Sequence, residues 1–291
     1  MVIREHKDRL FRYILERKRE FLLDLYNALN GSEYTNPDEL IVNTLEDVIF
    51  MGMKNDISFI IESTLNLYEA QSTYNPNMPI RGLLYFADLY RGMIADKNIH
   101  GRKLIKIPTP NYIVFYNGLE KEEDRIERKL SDAFEVPTDA PCLECKALML
   151  NINYDHNREL LERCKFLSGY SSFIEKFRRY AKTMSEDEAA NKAIDECVAE
   201  GNPLADILAK NRAEVSNMIL TEYDEEKTLA SYKEEGREEG LEEGLEKGLE
   251  KGLEKGCDTV IAYLEQGYTL AQIKEMRKSG ALTVAERHHN P

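Results

Sequence analysis

Residues 53–81, MKNDISFIIESTLNLYEAQSTYNPNMPIR, hold two strand-forming runs and the start of a helix, and their reading decides the fold. DISFII (56–61) and TLNLYEAQ (64–71) are separated only by Glu62 and Ser63, the length of a tight hairpin turn. A loop containing Pro76 follows, and Pro79 stands where a first helical turn tolerates proline. Strand side chains alternate between faces, so Glu69 and Gln71 continue the row of Leu65 and Leu67, while Tyr68 and Ala70 point the other way. A carboxylate and a carboxamide in an apolar row are costly unless something satisfies them. Asp56 opens the neighbouring strand, where its carboxylate can reach the same place.

Working outward, residues 5–30 carry Leu10, Phe11, Ile14, Leu15, Leu22, Leu25, Tyr26 and Leu29 mostly at spacings of three and four, which predicts one helix or two, ended by Asn30-Gly31. Asn36-Pro37 predicts a short helix reaching about Thr44, with Asn36 as its cap, and EDVIFMGMK (46–54) reads as a β run. A helix over 79–95 places Ile80, Leu83, Leu84, Ala87, Tyr90 and Ile94 on one stripe. YIVFYNG (112–118) and ALMLNINYD (147–155) read as two further strands. Helix, strands, helix, strand, strand is the order of a mixed α/β fold around one central sheet.

From residue 158 the pattern is helical: 158–182, 185–200 with a Ser185/Glu188 capping box, and 203–223. Residues 233–256 repeat with period four, with glycines at 236, 240, 244, 248, 252 and 256. A period of four exceeds the helical 3.6, so its Gly and Leu rows wind around a helix and form no steady coiled-coil seam. The repeat reads either as a solvated acidic spacer or as a Gly-faced helix that another chain approaches closely. The organisation expected is a core over 1–157, a helical extension packed on it over 158–225, the repeat over 226–256 and a short helical segment over 257–291.

The 291-residue chain is 42% hydrophobic, enough for a sizeable core, and carries a net charge of −14. Residues 1–120 hold 14 Lys and Arg against 16 Asp and Glu, so the acidity belongs to the C-terminal part and a basic surface near residues 53–81 is compatible with the total. Five scattered cysteines do not form a disulfide framework and point to a reducing cytoplasm. No apolar run is long enough to span a membrane, and the N-terminus lacks a signal peptide's apolar stretch. Cys142 and Cys145 form a lone CxxC; a structural zinc needs four ligands, and only Cys164 and His156 are near, so free thiols are the simpler reading.

The chemistry centres on Asp56, Glu69 and Gln71. Two carboxylates converging from adjacent strand ends suit Mg²⁺ or Mn²⁺, which take oxygen ligands and retain water that attacks a phosphodiester. The same spacing also describes strand-end polar groups in solvent. Arg81, one turn into the following helix, either contacts a phosphate near the metal or pairs with Asp88 or Glu69.

Taken in order, Asp8 and Phe11 in DRLF, Asp56 in KNDISF, Glu69 and Gln71 in YEAQ, and Arg81 with Tyr85 in RGLLY resemble the motifs of the PD-(D/E)XK nuclease superfamily. The likeness is to the Rpn group of recombination-promoting nucleases and transposases. It covers most of the chain, including the acidic repeat before the C-terminus. The resemblance implies a restriction-endonuclease-like core with a helical C-terminal extension, DNA as the partner and metal-dependent endonuclease activity. It makes Asp56 and Glu69 the ligands of Mg²⁺ (or Mn²⁺), Gln71 the positioner of water or phosphate, and Arg81 the substrate contact. Gln71 departs from the superfamily's Lys but is usual in the Rpn group; a carboxamide supplies no positive charge and is no base. Glu46 stands either as a further site carboxylate or as a surface residue. The alternative is a nuclease-like scaffold of weak or no activity, whose acidic C-terminus binds a protein partner or forms a homo-oligomer.

Overall fold

The structure is a computed structural model that describes residues 9–43 and 57–280. The chain divides into two compact units, residues 1–227 and 228–291. Asp8, Asp56, Glu46 and the expected β run over 46–54 lie outside the described residues.

The first unit is α/β. Its mixed sheet has the strand order β1-β2-β3-β4-β6-β5, formed by β1 (Ile41–Asn43), β2 (Ile57–Ile61), β3 (Thr64–Gln71), β4 (Thr109–Tyr116), β5 (Arg125–Lys129) and β6 (Lys146–Asn151). β3, β4 and β6 run parallel, while β1, β2 and β5 join antiparallel. Glu62 and Ser63 form the expected hairpin turn, with φ of 45° and 65°, the left-handed pair that matches the twist of the strands.

Helices cover both faces. α1 (Arg9–Arg17) and α2 (Arg19–Asn30) replace the single apolar run at the N-terminus, and Gly31 ends α2 in the left-handed conformation at φ 64°. They share one core with α4 (Arg158–Arg163), α5 (Lys165–Ala181), α6 (Glu186–Ala199), α7 (Ala205–Lys210) and the first turns of α8 (Arg212–Glu265), together with Phe59, Tyr68, Ala70, Ile113, Phe115 and Leu150 of the sheet. Phe11 sits at its centre, with ring centroids 5.2 Å from Phe115 and 4.9 Å from Phe166. The helical extension is therefore part of the same hydrophobic core as the sheet. Its helix over 158–182 is split at Cys164, whose Sγ accepts from Leu167 N and starts α5.

The opposite face packs against α3 (Met78–Met93) through Leu65, Leu67, Tyr112, Val114 and Met149. Here the expected stripe is corrected. Met78, Gly82, Tyr85, Phe86 and Leu89 are buried, whereas Ile80 and Leu84 are exposed, because α3 turns its aromatic side to the sheet. Two further corrections concern short elements. The helix after Asn36 is a single 3₁₀ turn, Pro37–Glu39, because the chain enters β1 at Ile41. β5, RIERK, is an edge strand whose alternating exposed charges give no apolar signal.

In the second unit the glycine repeat is helical, and a Cβ at any of its six glycines would meet nothing within 4 Å. Leu241, Leu245, Leu249 and Leu253 are exposed. α9 (Leu270–Lys278) starts with a Thr269/Gln272 capping box. No helix among the described residues is long and apolar enough to cross a membrane.

Candidate active site

Glu69 and Gln71 occupy the last turns of the pleat of β3, a central strand buried on both faces because α3 covers one and the helical core the other. They are 3% and 6% exposed, which removes the reading of strand-end groups in solvent. The expected alternation holds, since Leu65 and Leu67 face α3 while Tyr68 and Ala70 face the helical core.

The Glu69 carboxylate is engaged at both oxygens. Arg81 Nη2 lies 2.6 Å from Oε1, and the Tyr112 hydroxyl donates to Oε2 at 2.5 Å. Arg81 reaches it because α3 begins at Met78, which puts position 81 one turn in, above the carboxyl end of β3. Its Nη2 also donates to Tyr85 Oη at 3.2 Å. Tyr112 reaches it through register. The parallel pairing sets Tyr112 beside Leu67, on the same face and one step diagonal to Glu69. Of the two partners open for Arg81, the structure selects Glu69; Asp88 pairs with Arg91 at 2.6 Å.

Gln71 donates from Nε2 to Met78 Sδ at 2.9 Å, while its Oε1 is buried without a hydrogen-bond partner. A buried acceptor left open is costly and favours any ligand able to satisfy it. The strand ends here: Asn117 N donates to Gln71 O at 2.9 Å, and β4 then turns away at Gly118.

Among the described residues no cluster of three or more His, Cys, Asp or Glu is assembled to hold a metal ion. The donor set present is one carboxylate and one open amide oxygen, two residues apart on one face. Both are hard oxygen donors, which fit Mg²⁺ or Mn²⁺ better than a softer ion. Asp56, the other expected ligand, lies outside the described residues.

Tyr112 is the site residue that sequence reading leaves as a plain strand residue. Its only signal is a tyrosine in a buried run, and the partner it selects depends on a strand pairing 43 residues long in sequence separation. The five cysteines are free thiols. Cys145 Sγ lies against α3, 3.4 Å from where a Cβ on Gly82 would stand.

No protein-family model, curated protein or solved structure matches this chain.

Proposed function

We propose that the chain is a metal-dependent DNA endonuclease of the Rpn type with a PD-(D/E)XK core, hydrolysing phosphodiester bonds. The observation that carries this reading is the buried Glu69-x-Gln71 pair at the carboxyl end of a central parallel strand, with Arg81 beside it. Ligand sites in open α/β sheets gather at such strand ends. Glu69 and Asp56 would hold a divalent cation, which would supply charge stabilisation for the phosphoryl oxygens and a more acidic water. The protein's own contributions follow from the geometry. Tyr112 holds the Glu69 carboxylate in one orientation. Gln71, its Oε1 buried and open, would accept from a water and orient it without acting as its base. Arg81 carries the positive charge that a substrate phosphate meets at the rim, its side chain being 36% exposed.

The DNA partner is supported by the loop between α3 and β4, residues 94–108. It presents Lys97, Arg102, Lys103 and Lys106, all exposed, against a single acid, Asp96, in a chain of net charge −14. α3 separates this loop from Arg81 by the 12 residues from Arg81 to its end at Met93, about 18 Å at 1.5 Å per residue. That span corresponds to about five base-pair steps of a duplex lying along the helix.

Purified protein with Mg²⁺ or Mn²⁺ is expected to relax and cut supercoiled plasmid, and Glu69→Gln and Asp56→Ala to lose about a hundredfold or more of that rate. Intact plasmid, or undiminished cutting by both variants, disproves the mechanism. A scaffold role for the C-terminal repeat is favoured by one separate observation, the four exposed leucines at 241, 245, 249 and 253. Light scattering of the chain with and without residues 226–291 tests it, and an unchanged size and partner set eliminates it.

A further inference from the structure

We infer that Arg81 is the resident counter-cation of Glu69, and that a divalent cation binding there displaces its guanidinium from Oε1 and frees it for a substrate phosphate. The inference rests on the nuclease reading above and concerns how that same site is switched on.

Glu69 is 3% exposed, and an ionised carboxylate at that depth needs a positive partner. Arg81 supplies it at 2.6 Å. A Mg²⁺ or Mn²⁺ ligated by Oε1 stands about 2.1 Å from that oxygen and requires near-octahedral surroundings. The guanidinium and a doubly charged ion would then share one oxygen atom at close range, an arrangement of like charges that favours only one occupant at a time. Arg81 is the partner able to leave. It is a third exposed, it stands on the first turn of α3, and its helix neighbours Ile80 and Leu84 face outward, so its guanidinium has a path to solvent, at the cost of its 3.2 Å hydrogen bond to the buried Tyr85 hydroxyl. Tyr112 is the partner that stays, since it is buried and holds Oε2 at 2.5 Å. Gln71 Oε1, buried and open on the same strand face, remains to orient a water beside the incoming cation.

The exchange couples two binding events. Cation binding releases a guanidinium beside the metal, and a phosphate that engages the released guanidinium holds it off Glu69. By linkage each ligand then strengthens the other.

The test uses the full-length chain without nucleic acid. Mn²⁺ affinity is measured by titration calorimetry for the wild type, Arg81→Lys and Arg81→Met. Arg81→Met is expected to bind Mn²⁺ about tenfold tighter than the wild type, and Arg81→Lys to stay near the wild-type value because a competing cation is retained. Equal or weaker binding by a folded Arg81→Met overturns the exchange while leaving the metal site standing. Absence of Mn²⁺ binding in all three overturns both the exchange and the nuclease reading. Should Arg81→Met fail to fold, the Arg81 Nε–Hε resonance of the wild type replaces it in a Mg²⁺ titration monitored by NMR. A shift that saturates with metal binding is expected, and a resonance unmoved by saturating Mg²⁺ overturns the proposal.

Discussion

The Tyr112 hydroxyl donates to Glu69 Oε2 at 2.5 Å across two parallel strands, deep beneath α3. Together with Arg81 on the other oxygen, it gives a buried carboxylate the partners its charge requires. Removing the hydroxyl takes a hydrogen-bond donor from a carboxylate that is 3% exposed. Tyr112→Phe is therefore expected to destabilise the protein by about 1–3 kcal/mol in urea denaturation. It is also expected to slow cleavage about 10- to 100-fold, as for other groups that orient a metal-binding carboxylate.

Gly82 lies on the face of α3 that meets the sheet. A Cβ there would stand 2.5 Å and 2.6 Å from the Tyr112 ring. Gly-to-Ala in a helix interior ordinarily gains about 1 kcal/mol, whereas overpacking a buried contact costs about 1–3 kcal/mol. Since the ring cannot withdraw without moving its hydroxyl from Glu69, the second effect is expected to win. Gly82→Ala should lower the urea midpoint; a raised midpoint would show that α3 shifts freely.

Glu196 on α6 joins Lys176 of α5 at 2.7 Å, accepts from the Tyr180 hydroxyl, and pairs with Arg179 at 3.1 Å. The Lys176 ammonium first, then Tyr180 and Arg179, hold its carboxyl down from 4.5 to about 2. A carboxyl lowered in the folded state stabilises fully above its unfolded value and loses that contribution as pH falls from about 4.5 toward 2. Partial exposure and screening reduce its worth to about 1 kcal/mol. Glu196→Gln should flatten the acid limb of stability in that window and leave the slope above pH 6 unchanged, measured by urea midpoints across pH.

The basic loop after α3 is expected to bear phosphate contacts at a distance from the chemistry. Replacing Arg102, Lys103 and Lys106 by Ala should weaken binding of a duplex about equally for all sequences. It should also reduce the salt dependence of log K by about one per residue replaced. Fluorescence anisotropy without divalent metal, at several salt concentrations, measures both. An unchanged slope removes this loop from the interface, and binding of the wild type to anionic vesicles in preference to DNA would reassign it to a lipid surface.

Much of the local structure was legible in the sequence because local chemistry dictates it. The Glu62-Ser63 hairpin, the Gly31 helix end, the Ser185/Glu188 capping box and the alternation that puts Glu69 with Leu67 each follow from residues within a few positions of one another. The edge strand β5 was not legible, because the exposed charges Arg125, Glu127 and Lys129 alternate with only one apolar residue, Ile126, beside Arg128 in a five-residue run, too little for an apolar period. Nor was the buried side of α3. Its apolar residues ring the helix, so the stripe through Ile80 and Leu84 was as plausible as the one through Tyr85 and Phe86, and only the surface of the sheet decided between them.

The sequence by itself determined which residues alternate, turn and cap, and it placed Glu69, Gln71 and Arg81 within reach of one another. Tertiary structure alone decided what each of them touches. Parallel pairing of β3 with β4 needs a crossover through α3, and its register is written in neither strand. That register brings Tyr112 to one oxygen of Glu69, while the docking of α3 brings Arg81 to the other. A buried carboxylate accepts whichever donors the fold supplies, and for this reason its partners emerge only once strands and helix are packed.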